Sequence, residues 1–150
     1  MADRIAVMRA GRLVQIGSPM QVYREPADAD TARFFSDVSE LRMRARDGAI
    51  ATPFGSLKAP RQARNGDVSV LIRPHGLVPT HARSGVEAWV LDARYLGEAS
   101  LVSLVFEGLE ERLTARIPGT RLPEIGKPIR VRLDREHVFV FPASAATGAS

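Results

Sequence analysis

Ile129-Arg130-Val131-Arg132-Leu133, Asp134-Arg135-Glu136 and His137-Val138-Phe139-Val140-Phe141 follow one another without a gap. The first run alternates apolar and basic residues, the period of a half-buried strand. The middle three residues are a turn, and the last run is a second strand. Working back from there, the same texture repeats. Leu113 to Ile117 ends at Pro118-Gly119, and Leu101 to Phe106 turns at Glu107-Gly108. Val86 to Leu96 carries Trp89, Leu91 and Tyr95 at odd positions and is broken by Gly97. Val68 to Ile72 is almost wholly apolar or small, as in a strand covered on both faces, and Arg73-Pro74-His75-Gly76 closes it. Leu41, Met43 and Ala45 alternate with Arg42, Arg44 and Arg46, giving a strand with a basic outer face. Asp47-Gly48 is a two-residue hairpin signal leading into Ala49 to Thr52, and Pro53-Phe54-Gly55 turns again. Short strands at regular spacing with turn residues between them predict an all-β barrel or sandwich. Trp89, Phe139 and Phe141 are expected in its core.

The first 36 residues read differently. Ile5 to Met8 and Leu13 to Ile16 flank Arg9-Ala10-Gly11-Arg12, a predicted β-hairpin. Ser18 is a helix N-cap, Pro19 suits the first helical position, and Gln21 completes a capping box. That helix carries Val22 and Tyr23 and stops before Pro26. Asp30 is expected to cap a second helix, Thr31 to Ser36, which presents Phe34 and Phe35. The predicted organisation is thus 1–36 as a hairpin with two short helices, 37–142 as the β-domain, and 143–150 as a disordered tail of small residues.

Composition narrows the function classes. The chain has 150 residues, 45% hydrophobic and 25% charged, which is ordinary for a globular protein. The absence of cysteine removes a disulfide framework, a thiol nucleophile and a thiolate zinc site, and fits a reducing cytoplasm. No apolar run reaches the length that spans a bilayer, and Met1-Ala2-Asp3-Arg4 lacks the start of a signal peptide. The net charge is only +4. The sequence pI of about 10.3 is inflated because only Lys58 and Lys127 are lysines, and arginine stays charged to very high pH.

No phosphate-binding loop of the Walker type is present, and we assign no catalytic, cofactor-binding or metal residue. His75 and His81 flank a loop at a spacing that matches no helical ligand pair, and His137 reads as structural. Glu107, Glu110 and Glu111 surround a turn, where nothing perturbs a carboxyl group for acid–base work. Arg42, Arg44 and Arg46 with Arg130 and Arg132 would suit single-stranded nucleic acid only if aromatics were interleaved with them, and they are not. A solvated face is the reading, with no nucleic acid expected. Arg73, Arg94 and Arg116, near strand ends, are the candidate donors for a small oxyanion. A stand-alone module binding single-stranded nucleic acid or such an oxyanion is the alternative function.

The ordered pattern Ala2-Asp3-Arg4-Ile5-x-Val7-Met8, Gly11-x-Leu13-x-Gln15-x-Gly17-Ser18-Pro19, Val22-Tyr23 and Pro26 resembles the end of the ATPase domain of ABC transporters. Val70-Leu71-Ile72-Arg73-Pro74, Arg94-Tyr95-Leu96-Gly97, Ala115 to Gly119 and His137 to Phe141 are similar to strand ends of that family's accessory OB-like β-barrel, the TOBE domain. The resemblance implies a C-terminal fragment of an ATP-binding subunit, lacking the motifs that bind ATP and magnesium in the full-length parent. It implies a non-catalytic regulatory and dimerisation module at the cytoplasmic face of the inner membrane. A permease and a periplasmic binding protein would be the parent's partners. Asp47 to Gly55 is similar to a stretch in iron(III) importer ATPases, which points to iron as the cargo. Ile5, Val7, Leu13, Ile16, Tyr23, Phe34 and Phe35 would then be interface residues, some of them buried in a homodimer.

Overall fold

The structure, a computed structural model, describes residues 4–143. The chain divides into two compact units, one ending at Val38 and one beginning at Ser39.

In the first unit, β1 (Ile5–Arg9) and β2 (Arg12–Gly17) form an antiparallel hairpin. Helix α1 (Pro19–Arg24) starts as its sequence dictates. The Ser18 hydroxyl accepts from the Gln21 N–H, and the Gln21 side chain accepts from the Ser18 N–H at 2.8 Å. Helix α2 (Ala29–Phe35) begins two residues earlier than expected, and its cap is Asp28, not Asp30. The Asp28 carboxylate accepts from the Thr31 N–H at 2.9 Å. Asp30 falls inside the first turn, where its charge favours the helix dipole and pairs with Arg33 at 2.7 Å.

The second unit is mainly β. A three-stranded sheet has the order β12 (Val138–Pro142), β6 (Asp67–Ile72), β3 (Ser39–Arg44). A five-stranded sheet has the order β10 (Leu113–Pro118), β9 (Ala99–Phe106), β8 (Val86–Tyr95), β11 (Pro128–Leu133), β7 (Leu77–Pro79). β4 (Ala49–Thr52) and β5 (Gly55–Lys58) form a small hairpin. The sheets curl into a nearly closed barrel. Its interior is filled by Leu41, Val68, Val70, Ile72, Val90, Val102, Leu104, Phe106, Leu113 and Val131, all almost fully buried. β6 is the central strand of its sheet, which explains why Val68 to Ile72 reads apolar on both faces.

Several expectations are corrected. The Asp47-Gly48 turn forms, with φ of 51° and 79°, but it closes only the bridge between Arg46 and Ala49. β3 pairs with β6 and β4 with β5, so the turn links two pairings instead of folding one strand on the next. His137 ends a short 3-10 turn, Arg135–His137, and the last strand starts at Val138. Of the tail expected at 143–150, only Ala143 lies within the described residues, and its N–H donates to the Asp67 carbonyl at 2.9 Å.

Trp89 is not a core residue. Ala88 pairs with Phe106 and Val90 with Leu104, but then the register shifts, so that Asp92 faces Ser103 and Ala93 faces Val102. Leu91 is the extra residue of a β-bulge. Before the bulge the even-numbered Ala88 and Val90 are buried; after it the odd-numbered Ala93 is half-buried between exposed Asp92 and Arg94. Trp89, opposite Val105, and Leu91 are therefore on the exposed side. Phe139 and Phe141 are half-buried.

Candidate functional site

In the first unit, the hairpin and α2 enclose a cavity of about 430 Å³, open to solvent, lined by Ile5, Val7, Phe34 and Phe35 with Arg9, Asp30 and Thr31 as its polar members. Arg9 ties β1 to the helix cap, donating to both Asp28 oxygens, one of them at 3.1 Å. The paired guanidinium, helped by the Thr31 hydroxyl and N–H, holds the Asp28 carboxyl well below the usual range, and Asp28 in turn raises Arg9. Of the sequence-predicted interface residues, Phe34 is 80% exposed, Leu13, Ile16 and Tyr23 are exposed, and Ile5, Val7 and Phe35 are half-buried. These apolar groups face water in this chain.

In the second unit, the three candidate arginines part company. Arg94 and Arg116 share a row, since both pair with Leu101 of the strand between them. Arg94 is exposed and Arg116 half-buried. Arg73 is 2% exposed, the largest fully buried side chain of the barrel, and its guanidinium carbon lies 4.5 Å above the centre of the Phe139 ring. A buried guanidinium over an aromatic face is held by a cation–π contact in a poorly hydrated place.

Sequence reasoning set His75 and His137 aside, and the structure brings them together. The 3-10 turn Pro74–Gly76 and the turn Arg135–His137 are stitched by two backbone hydrogen bonds. The Arg73 N–H donates to the His137 carbonyl at 3.0 Å, and the Asp134 N–H donates to the Gly76 carbonyl at 2.7 Å. A Cβ on Gly76 would lie 3.0 Å from the His137 Cβ, so any larger residue there would press the turns apart by a few tenths of an ångström. The imidazole centroids are 5.9 Å apart at an interplanar angle of 32°. Partial loss of water, then the charges of Arg116, His137 and Arg73, hold the His75 imidazole below its ordinary value. Arg94 is not among the groups acting on it. The signal for this cluster was in the sequence: Arg-Pro-His-Gly follows the central strand and Asp-Arg-Glu-His precedes its partner, so pairing those strands aligns the two turns. His81 is exposed on its loop. Among the described residues, no group of three His, Cys, Asp or Glu side chains could hold a metal ion.

The TOBE domain family matches residues 70–141. The match begins within β6, but β3 pairs along the whole of that strand, so the structural unit extends back to Ser39. The chain is 36% identical over 146 residues to the Fe(3+) ions import ATP-binding protein FbpC of Streptomyces coelicolor, covering 96% of this chain and 41% of that protein. It is 33% identical to the protein of the same name from Streptomyces avermitilis, over 99% of this chain and 43% of that one. It is also 34% identical to the sulfate/thiosulfate import ATP-binding protein CysA 1 of Chromobacterium violaceum, over 98% of this chain and 43% of that one. The chain spans about two-fifths of the length of these curated relatives. No helix among the described residues is long and apolar enough to cross a membrane. Residues 70–141 are a TOBE domain, in a chain related over nearly its whole length to the ATP-binding proteins of ABC importers.

Proposed function

We propose that this chain is the C-terminal, non-catalytic part of the ATP-binding subunit of an iron(III) importer. Its barrel regulates the subunit, and its first unit is the end of the ATPase domain. One observation carries the reading: a TOBE match lies within a chain aligned along 96% of its length with an iron(III) import ATP-binding protein. The sulfate-importer relative, at similar identity, shares the architecture, so the cargo rests on the iron relatives and on the Asp47 to Gly55 stretch. ATP, magnesium, a membrane permease and a periplasmic binding protein belong to the full-length assembly, at the cytoplasmic face of the inner membrane. The barrel would act by making contacts that differ between the open and closed states of an ATPase dimer. The open apolar cavity of the first unit supports the interface role of Phe34 and its neighbours, since such groups stay exposed only until a partner covers them.

The purified chain should show no ATP turnover, and turnover above a no-protein control would overturn the reading. Cells lacking the full-length gene should take up less radiolabelled ferric iron with sulfate uptake unchanged. The reverse pattern would move the cargo to sulfate.

A further inference from the structure

We propose that Asn65 is a site of spontaneous covalent modification, at which the folded turn promotes ring closure onto Gly66 and conversion to aspartate and isoaspartate. The inference stands on the second unit alone. It does not depend on the cargo of the importer or on the interface role of the first unit.

Asn65 is the only asparagine of the chain, and glycine follows it. Asparagine is thermally labile, most of all before glycine, whose missing side chain leaves the backbone nitrogen open to approach. The pair lies between the 3-10 turn Arg61–Ala63 and β6, with Asn65 exposed and Gly66 half-buried. In the reaction the Gly66 nitrogen loses its proton to base and attacks Cγ of the Asn65 side chain. The new N–C bond closes a five-membered imide, the Cγ–Nδ2 bond breaks, and that nitrogen leaves as ammonia. Water then opens the imide at one carbonyl to give aspartate, or at the other to give isoaspartate.

Three features of the turn favour the first step. The Arg44 guanidinium donates to the Asn65 carbonyl at 3.2 Å and is itself held by the Asp67 carboxylate at 3.2 Å. When the Gly66 nitrogen gives up its proton, the charge spreads onto that carbonyl oxygen, so Arg44 stabilises the nucleophile. The Asp47 N–H donates to the Asn65 Oδ1 at 2.9 Å, the atom on which negative charge grows as Cγ is attacked. The Gly66 N–H is barely engaged, since its contact with the Ala63 carbonyl is 3.4 Å, beyond the ordinary range. Asp47-Gly48, which could cyclise by the same chemistry, is the contrast within the same turn pair. Its glycine N–H is tied to the Arg64 carbonyl at 3.0 Å, so the nucleophile is occupied. The two products differ in consequence. The Gly66 carbonyl accepts from the Ala45 N–H at 2.9 Å, and Asp67 opens β6 opposite Arg44. Isoaspartate lengthens the backbone just before that pair and unseats the start of the central strand. Aspartate only adds a negative charge.

The test follows the whole chain, labelled with nitrogen-15, at mildly alkaline pH. NMR reads the loss of the Asn65 side-chain amide, and peptide mapping at acid pH locates isoaspartate. The folded chain should react at least as fast as the chain unfolded in urea, and the rate should rise with hydroxide concentration. The charged groups around the turn, Arg44, Arg64, Asp47 and Asp67, hold their charge over that range, so the rise reports the Gly66 nitrogen. Isoaspartate should appear at position 65 and not at 47. Arg44→Gln should slow the folded chain about fivefold and have no effect in urea. Exchange of the Gly48 amide should stay unchanged in this variant, which separates lost activation from a loosened turn. Arg44→Lys should recover part of the rate. Arg42→Gln, on an exposed arginine two residues earlier in β3, should leave the rate unchanged. The proposal is overturned if the folded chain reacts much more slowly than the unfolded one. It is equally overturned if Arg44→Gln reacts at the parent rate, or if isoaspartate forms at 47 ahead of 65.

Discussion

The Ser39 hydroxyl accepts a hydrogen bond from the Thr114 N–H at 2.9 Å, across 75 residues of sequence. Ser39 begins the edge strand of the three-stranded sheet, and Thr114 lies on the edge strand of the five-stranded one. This bond spans the seam of the barrel. Ser39→Ala should leave the Thr114 N–H without its acceptor in a poorly hydrated place and cost about 1–3 kcal/mol. Urea unfolding reads this as a lower midpoint at unchanged slope. An unchanged midpoint would mean that the apolar core alone holds the seam.

Deleting Leu91 should be tolerated, although it lies in the middle of a ten-residue strand. Val90 already faces Leu104 and Asp92 already faces Ser103, so removing the bulged residue leaves both halves with their present partners and faces. The expected cost is about 1 kcal/mol or less. Deleting Ala115, which lies in a regular register opposite Val102, should instead turn one half of its strand inside out and abolish folding. Thermal unfolding of the two deletions side by side distinguishes a bulge from a misread strand.

Asp28 should make the first unit acid-sensitive. Its carboxyl is held well below the unfolded value near about 3.9, chiefly by Arg9. The stabilisation is therefore complete above the unfolded value and is lost as pH falls through the folded one. Exchange of the Thr31 amide, protected by Asp28, should accelerate relative to its intrinsic rate below about pH 4. Asp28→Asn keeps a capping oxygen but loses the charge, so its Thr31 protection should be weaker near neutrality and nearly flat over the same acid range. An equally steep acid response in this variant would assign the effect to another group.

Phe34 should matter to association and hardly at all to folding. Its ring is 80% exposed and meets Phe35 edge-on at 4.9 Å. Phe34→Ser should change unfolding by no more than about 0.5 kcal/mol. Light scattering should show a dimer for the parent chain and a larger monomer fraction for the variant. A monomeric parent chain would remove the dimer role proposed for this surface.

The parts of the fold legible in sequence are those fixed by local chemistry. Ser18, Pro19 and Gln21 specify a helix start within four residues, and the apolar run from Val68 to Ile72 announces a strand covered on both faces. Asp28 and Asp30 are both competent caps by local rules, and Asp28, the cap in the structure, is held by Arg9, nineteen residues away along the chain, which no local rule sees. The placement of Trp89 failed for a similar reason. A bulge leaves no mark on residue identity here, because Leu91 is as good a strand residue as its neighbours, and one strict alternation along the whole strand then gives its first half, with Trp89, the wrong parity. The histidine cluster needed the pairing of β6 with β12, a contact between residues about seventy positions apart.

β6 receives the first strand of its unit, β3, on one side and the last, β12, on the other. During synthesis its second edge must therefore wait, unpaired and apolar, until nearly the whole unit has left the ribosome. That gives the unit a high contact order, which slows folding. It also places an apolar strand edge, Val68 to Ile72, under the control of a strand made some seventy residues later. A chain ending after Leu133 would keep most of the core residues yet expose that edge permanently.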